Sequence, residues 1–245
     1  MAHGNIHIHW YNSEAADGKR RRLHVYTPPK YIQHPNKRYP VLYLLHGSGD
    51  NDSHWVALGR AHVITDNLIA DGRAKDMIIV MTDGHVSVKQ RDGEERFAYR
   101  RRANQAFASE MMHEVIPLVN SHYRVLPGSE NRGITGLSMG GGQSLGVGLG
   151  NLASFDWIGG FSSSARGLDT VVADLKKEGN RAVNGRIKLL WIAIGKDDFL
   201  LEQNHAFIKS LKNAGIKHEY RETEGAHRWS VWRLYLSELI PRLFK

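Results

Sequence analysis

Apolar and polar residues alternate along the chain in blocks that predict short buried strands separated by amphipathic helices. Continuous apolar runs, which indicate strands covered on both faces, occur at residues 41–45, 77–81, 157–161 and 189–194. Helical spacing of apolar residues occurs at residues 61–70, 105–121, 169–177, 202–214 and 229–239. Two further strands are predicted at residues 133–135 and 218–223. This alternation predicts an α/β fold with a doubly wound, mainly parallel sheet and helices on both of its faces.

The N-terminal part predicts a different local arrangement. Residues 4–12 and 20–27 indicate the two strands of an antiparallel hairpin, joined across the polar sequence S-E-A-A-D-G-K. Pro28 and Pro29 end the second strand. No internal repeat or low-complexity linker interrupts the chain, and its 245 residues are an ordinary size for one α/β domain. We therefore expect residues 1–245 to form a single domain.

The sequence G-L-S-M-G at residues 136–140 matches the motif G-x-S-x-G and lies between a predicted strand and a predicted helix. Glycines two positions before and two after the serine leave room for a sharp strand-to-helix turn, which raises the serine hydroxyl above the edge of the sheet. A chain rich in glycine can contain this five-residue motif by chance. Ser138 is therefore a candidate nucleophile only if an acid and a base follow at later strand ends.

Both partners are present in the order that this kind of site requires. The second-to-last predicted strand leads into Asp197 and Asp198, and the last one leads into His227. Functional residues of open α/β sheets lie beyond the carboxyl ends of the strands, where His227 falls. The other late histidines fall inside a predicted helix or at the opposite end of a strand; they are His205 and His218. Spacing alone does not separate Asp197 from Asp198.

These residue types in this order predict acyl transfer. His227 would take the proton of Ser138 Oγ as that oxygen attacks an acyl carbonyl, and one of the two aspartates would fix the imidazole tautomer. The oxyanion of the tetrahedral intermediate needs two N–H donors. Met139, which follows the nucleophile, and Ser48, in the loop after the 41–45 strand, are the candidate donors.

Residue composition limits the other kinds of chemistry. The chain has no cysteine, which excludes disulfides, thiolate catalysis and cysteine-based zinc sites. His7 and His9 share one face of a predicted strand, but no third ligand follows at a metal-binding spacing. The glycine-rich segments do not match a nucleotide-binding motif. We therefore expect neither a metal nor a cofactor.

The formal charge of +8 includes two basic runs, at residues 19–22 and 100–102. Neither run is interleaved with aromatic residues, and both are interpreted as solvated loops and strand ends. No apolar stretch is long enough to span a bilayer. We expect neither nucleic acid nor a membrane as a partner. The first residues lack a basic-then-apolar signal pattern, so a cytoplasmic protein and one whose leader is missing from this chain both remain open, as does the oligomeric state.

Five motifs spread over almost the whole chain carry a family resemblance: H-G-S-G-D-N-D-S-H-W, G-L-S-M-G-G-G-Q-S-L, G-G-F-S-S-S, G-K-D-D-F and E-G-A-H-R-W-S-V-W-R. Together they resemble the esterase D superfamily, and most closely its carbohydrate esterase family 1 branch of feruloyl and acetylxylan esterases, which are often secreted. The resemblance implies an α/β-hydrolase fold and a metal-independent serine esterase. It also implies Asp198 as the acid, with Ser48 and Met139 as the oxyanion donors.

The resemblance further implies that the substrates are feruloyl or acetyl esters of plant cell-wall xylan. An aromatic acyl group needs an apolar slot, and Trp55 and Trp229 are candidates to line it, whereas Trp232 is interpreted as core. The loop at 85–103 is long for a connection and is a candidate wall or lid. Two alternatives stay open: a broad-specificity short-chain esterase with no polysaccharide role, and a non-catalytic carbohydrate-binding module on a hydrolase scaffold.

Overall fold

The N-terminal hairpin forms as the sequence predicts and supplies one edge of a sheet. The structure is a computed structural model that describes residues 2–245. Strands β1 (Asn5–Ser13) and β2 (Lys19–Thr27) pair antiparallel along their whole length. A short turn, Glu14–Ala16, joins them.

The remaining strands are β3 (Val41–Leu45), β4 (Ile78–Thr82), β5 (Arg132–Gly136), β6 (Trp157–Phe161), β7 (Leu189–Gly195) and β8 (Glu219–Thr223). Together with the hairpin they form an eight-stranded sheet in the order β1-β2-β4-β3-β5-β6-β7-β8. Strand β2 pairs antiparallel with β4, and every neighbouring pair from β4 to β8 is parallel. The carboxyl ends of β3 to β8 therefore share one edge, where the candidate residues are expected.

Helices cover both faces of this sheet: α1 (His54–Ala57), α2 (Ala61–Ala70), α3 (Arg96–Glu110), α4 (Ile116–His122), α5 (Ser138–Gly150), α6 (Asp169–Glu178), α7 (Asn180–Arg186), α8 (Leu201–Asn213) and α9 (Trp229–Leu239). Alternate residues of β3 show the two layers, since Tyr43 and Leu45 pack in one core and Leu42 and Leu44 in the other. The predicted doubly wound, mainly parallel sheet with an N-terminal hairpin is confirmed. Within residues 2–245, every helix is too short or too polar to cross a membrane.

The largest difference from the predicted elements is at the start of α3. The prediction begins this helix at residue 105, but it begins at Arg96, and a π-helical segment, Met111–Val115, joins it to α4. The first turns are rich in arginine and carry no apolar stripe, so hydrophobic periodicity does not detect them. The predicted 85–103 loop is therefore shorter, with its irregular part over residues 85–95.

Only the first half of the basic run on β2 is solvated: Lys19 and Arg20 are exposed, whereas the next two arginines are not. Arg21 exposes 8% of its surface and forms an ion pair with the fully buried Glu110. Arg22 is partly buried and pairs with the buried Asp52. Successive strand residues face opposite sides of a sheet, so the two arginines enter different layers. The interpretation as solvated charge is wrong for both arginines, because each pairs with a buried carboxylate. The local pattern misses these pairs, since the partners lie far away in the sequence.

Candidate active site

Ser138 lies at the turn between β5 and α5, in a backbone conformation that residues with side chains rarely adopt. Its φ is 54°, in the left-handed region, which costs on the order of 1–2 kcal/mol. Gly140 permits the close packing of the turn, because a Cβ there would lie 2.3 Å from the carbonyl oxygen of His46. This is the geometry of a nucleophile elbow, and it points the serine above the sheet edge.

The three residues predicted to carry the chemistry form a continuous hydrogen-bond chain. Ser138 Oγ lies 3.0 Å from His227 Nε2, and His227 Nδ1 lies 2.8 Å from Asp198 Oδ2. With the imidazole proton on Nδ1, the carboxylate accepts that N–H and the serine hydroxyl donates to Nε2. Spacing left the two aspartates equivalent, but the fold brings Asp198 to the histidine and leaves Asp197 exposed. The candidate nucleophile, base and acid thus meet at the carboxyl ends of three strands.

Asp198 is ionised although its side chain is buried. Burial disfavours the carboxylate, but hydrogen bonds from His227, the Leu200 N–H and Ser162 outweigh that cost and hold the pKa of Asp198 below its ordinary value. The Leu200 N–H donates to Oδ1 at 2.9 Å, which leaves Oδ2 to His227. An ionised acid in this position can stabilise an imidazolium.

Two residues outside the predicted set support the acid and the base. Ser162 follows β6, is fully buried and has a φ of 47°. Its Oγ accepts a hydrogen bond from Trp232 Nε1 at 3.0 Å, so its own hydroxyl proton is free for Asp198. The Trp232 ring also packs edge-on against the His227 imidazole, with centroids 4.8 Å apart. Trp232 is core, as predicted, but this core position also orients the site, and no local motif marks that second role.

The two candidate oxyanion donors lie in segments that meet beside Ser138. Met139 is the second residue of α5, so its N–H belongs to a helix N-terminus, where negative charge is favoured. Ser48 is in the loop after β3, and a Cβ on the adjacent Gly47 would lie 3.3 Å from Ser138 Cβ. In residues 2–245, no backbone carbonyl accepts the N–H of Met139 or of Ser48. Their role as oxyanion donors stays a prediction.

His46 ties the loop that carries Ser48 to the segment after β4. Nδ1 of this buried histidine donates to the Gly47 carbonyl oxygen at 2.8 Å, and Nε2 accepts the Gly84 N–H at 2.9 Å. Arg21 holds that segment in place, because its guanidinium donates to the carbonyl oxygens on both sides of Gly84, each at 2.6 Å. The buried arginine therefore supports the loop of the candidate oxyanion hole through His46.

Within residues 2–245, one group of three potential metal ligands occurs, namely His46, Asp83 and His85, whose ligand atoms lie within 4.8 Å of one another. The lone pair of His46 Nε2 is already used by the Gly84 N–H, and Nδ1 donates to a carbonyl oxygen. A metal ion would have to displace the bond that fixes the loop. We therefore assign this group a structural role.

Asp52 anchors the far end of the same loop. It accepts two hydrogen bonds from the Arg22 guanidinium, at 2.8 and 2.9 Å, and one from His24 Nδ1 at 2.7 Å. Burial raises the pKa of Asp52, but the bonds from His24 and Arg22 outweigh it and hold the pKa below its ordinary value. Both partners lie on β2, so the N-terminal hairpin helps to position the candidate oxyanion loop.

The aromatic residues near the site differ in exposure. Trp55 exposes 1% of its surface and donates its indole N–H to the Leu45 carbonyl oxygen at 2.9 Å. Trp229 packs edge-on against Trp55, with centroids 5.1 Å apart, and is partly exposed. Substrate contact by Trp229 stays a prediction, whereas the burial of Trp55 argues against direct contact and for support from below. Phe199 was not predicted as a site residue, yet its ring is exposed beside His227.

Known proteins with similar sequences identify the family. Residues 13–243 match the family described as "Putative esterase". The chain is 32% identical over 247 residues to the endo-1,4-beta-xylanase/feruloyl esterase of Xylanibacter ruminicola. The match covers 99% of this chain and 32% of that protein. This chain therefore spans about a third of the length of that relative. It is 26% identical over 261 residues to the acetyl esterase of Caldicellulosiruptor saccharolyticus, with 91% of each chain covered.

A solved structure of a ferulic acid esterase has the same architecture, with a TM-score of 0.83, 24% identity and 100% of each chain covered. The fold is accordingly the α/β-hydrolase fold, as the motifs implied. The resemblance to the carbohydrate esterase family of feruloyl esterases is confirmed by these matches. Since the family match extends over nearly the whole chain, the protein belongs to the esterase family.

Proposed function

We propose that this protein is a serine carboxylic ester hydrolase that releases feruloyl or acetyl groups from xylan through an acyl-enzyme on Ser138. The observation that carries the proposal is a pair of hydrogen bonds. Ser138 Oγ lies 3.0 Å from His227 Nε2, and His227 Nδ1 lies 2.8 Å from Asp198 Oδ2. A serine hydroxyl is a weak nucleophile until an adjacent base takes its proton. The base in turn needs an acid to hold the correct tautomer.

In the acylation half of the reaction, His227 Nε2 takes the hydroxyl proton as Ser138 Oγ attacks the ester carbonyl carbon. The carbonyl bond opens to an oxyanion, which the N–H groups of Met139 and Ser48 stabilise; loss of one such donor typically costs about 3–4 kcal/mol. The imidazolium, stabilised by Asp198, then gives its proton to the alcohol oxygen as the carbon–oxygen bond breaks. The acyl group remains on Ser138.

In the deacylation half, His227 takes a proton from water, and the water oxygen attacks the acyl carbon. The same donors stabilise the second oxyanion. The proton then returns to Ser138 Oγ as the carboxylic acid departs. Side chains of the protein supply every proton transfer, and the proposal includes no cofactor.

The substrate class is supported by the relatives and by the aromatic surface. The name of the Xylanibacter relative joins a xylanase to a feruloyl esterase, and the Caldicellulosiruptor relative is an acetyl esterase. Partly exposed Trp229, backed by Trp55, offers an apolar surface for an aromatic acyl group. Feruloylated or acetylated xylan is therefore the proposed substrate, with small esters of the same acids as simpler substrates.

A second candidate function is hydrolysis of short-chain esters without a polysaccharide role. The match to an acetyl esterase over 91% of both chains favours it. Rates on methyl ferulate, acetylated xylan and p-nitrophenyl acetate separate the two functions. Turnover of p-nitrophenyl acetate with no turnover of the other two would favour the second candidate.

The catalytic proposal itself is tested by labelling with a serine-directed fluorophosphonate. We expect one label per chain on the wild-type protein and none on Ser138→Ala. An unlabelled wild-type protein would overturn both esterase functions and favour a non-catalytic carbohydrate-binding module. A label on Ser138→Ala would mean that another serine is the nucleophile.

A further inference from the structure

Phe199 presents an exposed aromatic ring directly beside the base of the candidate site. It exposes 75% of its surface, and its ring centroid lies 4.5 Å from that of His227 at an interplanar angle of 53°. A single exposed apolar side chain is ordinary on a protein surface. This one, however, packs against His227, the proposed base, so the position of Phe199 bears on the proposed reaction.

The backbone holds Phe199 in this position. Its two chain neighbours, Asp198 and Leu200, are both buried, and the Leu200 N–H donates to the Asp198 carboxylate. The Asp198 N–H donates to the Gly195 carbonyl oxygen, and the Leu201 N–H donates to that of Asp198. The turn after β7 is therefore bonded on both sides of Phe199, which fixes the backbone that presents the ring beside His227.

The order of the strands shows which part of a substrate would meet this ring. Ser48 follows β3, Ser138 follows β5 and Phe199 follows β7, so the candidate oxyanion loop and Phe199 lie on opposite sides of the nucleophile. The ester carbonyl oxygen must point toward the oxyanion loop. The alcohol oxygen must come within hydrogen-bond reach of His227 Nε2, because that nitrogen supplies its proton. The alcohol portion therefore extends over His227 toward Phe199.

We propose that Phe199 is the platform for the sugar that carries the ester, with its ring stacked on the apolar C–H face of that sugar. The electron-rich face of an aromatic ring attracts the positive edge of C–H bonds. This inference rests on the proposed function and deepens it, because it assigns the alcohol side of the substrate to the β7 side of the site. The acyl group is then left to the side of Trp229 and the oxyanion loop.

Two esters of ferulic acid test this assignment: methyl ferulate and a feruloylated arabinoxylo-oligosaccharide. Both give the same feruloyl-enzyme, so their deacylation rates are identical and only acylation differs between them. We expect Phe199→Ala to lower kcat/KM roughly tenfold for the oligosaccharide ester. For methyl ferulate, whose alcohol portion is a methyl group, we expect a change of less than about twofold.

Two further variants separate stacking from general effects. Phe199→Tyr keeps an aromatic ring and is expected to retain the wild-type preference for the oligosaccharide ester. Ile32→Ala is the matched surface control, because Ile32 is 74% exposed and follows the end of β2 that lies beside the start of β4, away from Ser138. It is expected to leave both esters unaffected. The rate of fluorophosphonate labelling should stay at the wild-type value in Ile32→Ala.

The outcomes distinguish this inference from the proposed function. If the wild-type protein hydrolyses both esters and Phe199→Ala lowers both equally, the ring acts on the acyl group or shields His227, and the inference is overturned. It is equally overturned if Phe199→Ala changes neither ester. If the wild-type protein takes the fluorophosphonate label but hydrolyses neither ester, feruloyl esters are excluded from the proposed substrate class, and the platform for a feruloylated sugar fails with them.

Discussion

Arg21 and Glu110 form a two-point ion pair inside the protein, with Nε and Nη2 of the arginine 2.7 and 2.9 Å from the two carboxylate oxygens. Tyr11 adds a third donor to the same carboxylate at 2.9 Å. The paired arginine also fixes the segment after β4, which holds His46 and the loop of Ser48. A charge pair far from the reacting atoms therefore supports the candidate oxyanion hole.

Glu110→Ala tests this support. It leaves Arg21 buried without its counter-charge, and breaking a buried pair in this way typically lowers the free energy of unfolding by about 3–5 kcal/mol. Urea unfolding followed by circular dichroism measures the loss. Glu238→Ala is the matched control, because it breaks an exposed pair with Arg221 and should cost less than about 1 kcal/mol. Equal losses in the two variants would contradict a special role for the buried pair.

Ser138→Ala and Ser138→Gly separate chemistry from backbone strain at the nucleophile. Both remove the hydroxyl, and we expect kcat to fall roughly a million-fold in each. Since φ at this position is 54°, glycine should relieve strain that alanine keeps. We expect the glycine variant to exceed the alanine variant in unfolding free energy by about 1 kcal/mol, as measured by urea unfolding. A glycine variant less stable than the alanine variant would show that the turn is not strained.

The two neighbouring aspartates are predicted to differ greatly in effect. Asp198→Asn keeps the shape of the side chain but no longer favours the correct tautomer of His227, and we expect kcat to fall about 10⁴-fold. Asp197 is exposed, so Asp197→Asn should change kcat less than about twofold. Steady-state rates on methyl ferulate measure both effects. The reverse ranking would overturn the assignment of the acid.

Asp52 gives a prediction about pH. Its pKa in the folded protein lies below its ordinary value of 3.8 because hydrogen bonds from His24 and Arg22 outweigh burial. A depressed folded-state pKa contributes stability above the unfolded-state pKa, and that stability is lost as the pH falls through the folded-state pKa. We therefore expect Asp52→Asn to be less stable than the wild-type protein at neutral pH, with a difference that shrinks below pH 3.8.

Urea unfolding of the Asp52→Asn variant and the wild-type protein between about pH 3 and pH 7 measures this difference. The control is Asp71→Asn, which changes an exposed aspartate just after α2. As a substitution on the exposed surface, it should change the free energy of unfolding by less than about 0.5 kcal/mol. A constant difference for Asp52→Asn would mean that the substitution alters packing alone, and that the ionised carboxylate contributes nothing.

The local sequence pattern predicts most of the fold and the order in which the candidate site residues follow one another along the chain. Strands such as β3 and β6 are continuous apolar runs with abrupt polar ends, so their limits follow from composition. The motif around Ser138 marks its turn by its glycines, although the closest contact that requires Gly140 is with the distant His46 carbonyl oxygen. His227 could be chosen because it was the late histidine in a loop at the correct edge.

Other parts of the site depend on contacts between residues far apart in the chain. Arg21 belongs to a run of basic residues of the kind that usually lies on the surface, and its buried partner Glu110 is 89 residues away. Ser162 and Phe199 lie in two of the family motifs, but no rule of spacing gives them a role, and their contacts with Asp198 and His227 respectively follow from the strand order. Asp197 and Asp198 both follow the end of the same strand, so spacing does not distinguish them. The family resemblance or the fold is needed to choose Asp198.

The outer position of β8 determines when the candidate site is completed during folding. Within residues 2–245, β8 pairs with β7 alone and forms the edge of the sheet. His227 follows this strand and meets Ser138 across 89 residues of chain. Contacts at such a separation require closure of a long loop and form after local structure. The nucleophile elbow also depends on a distant segment, because Gly140 packs against the His46 carbonyl oxygen, so both sides of Ser138 are completed by long-range contacts. During refolding, reactivity toward a fluorophosphonate should return with the docking of the last strand and lag behind the recovery of helix.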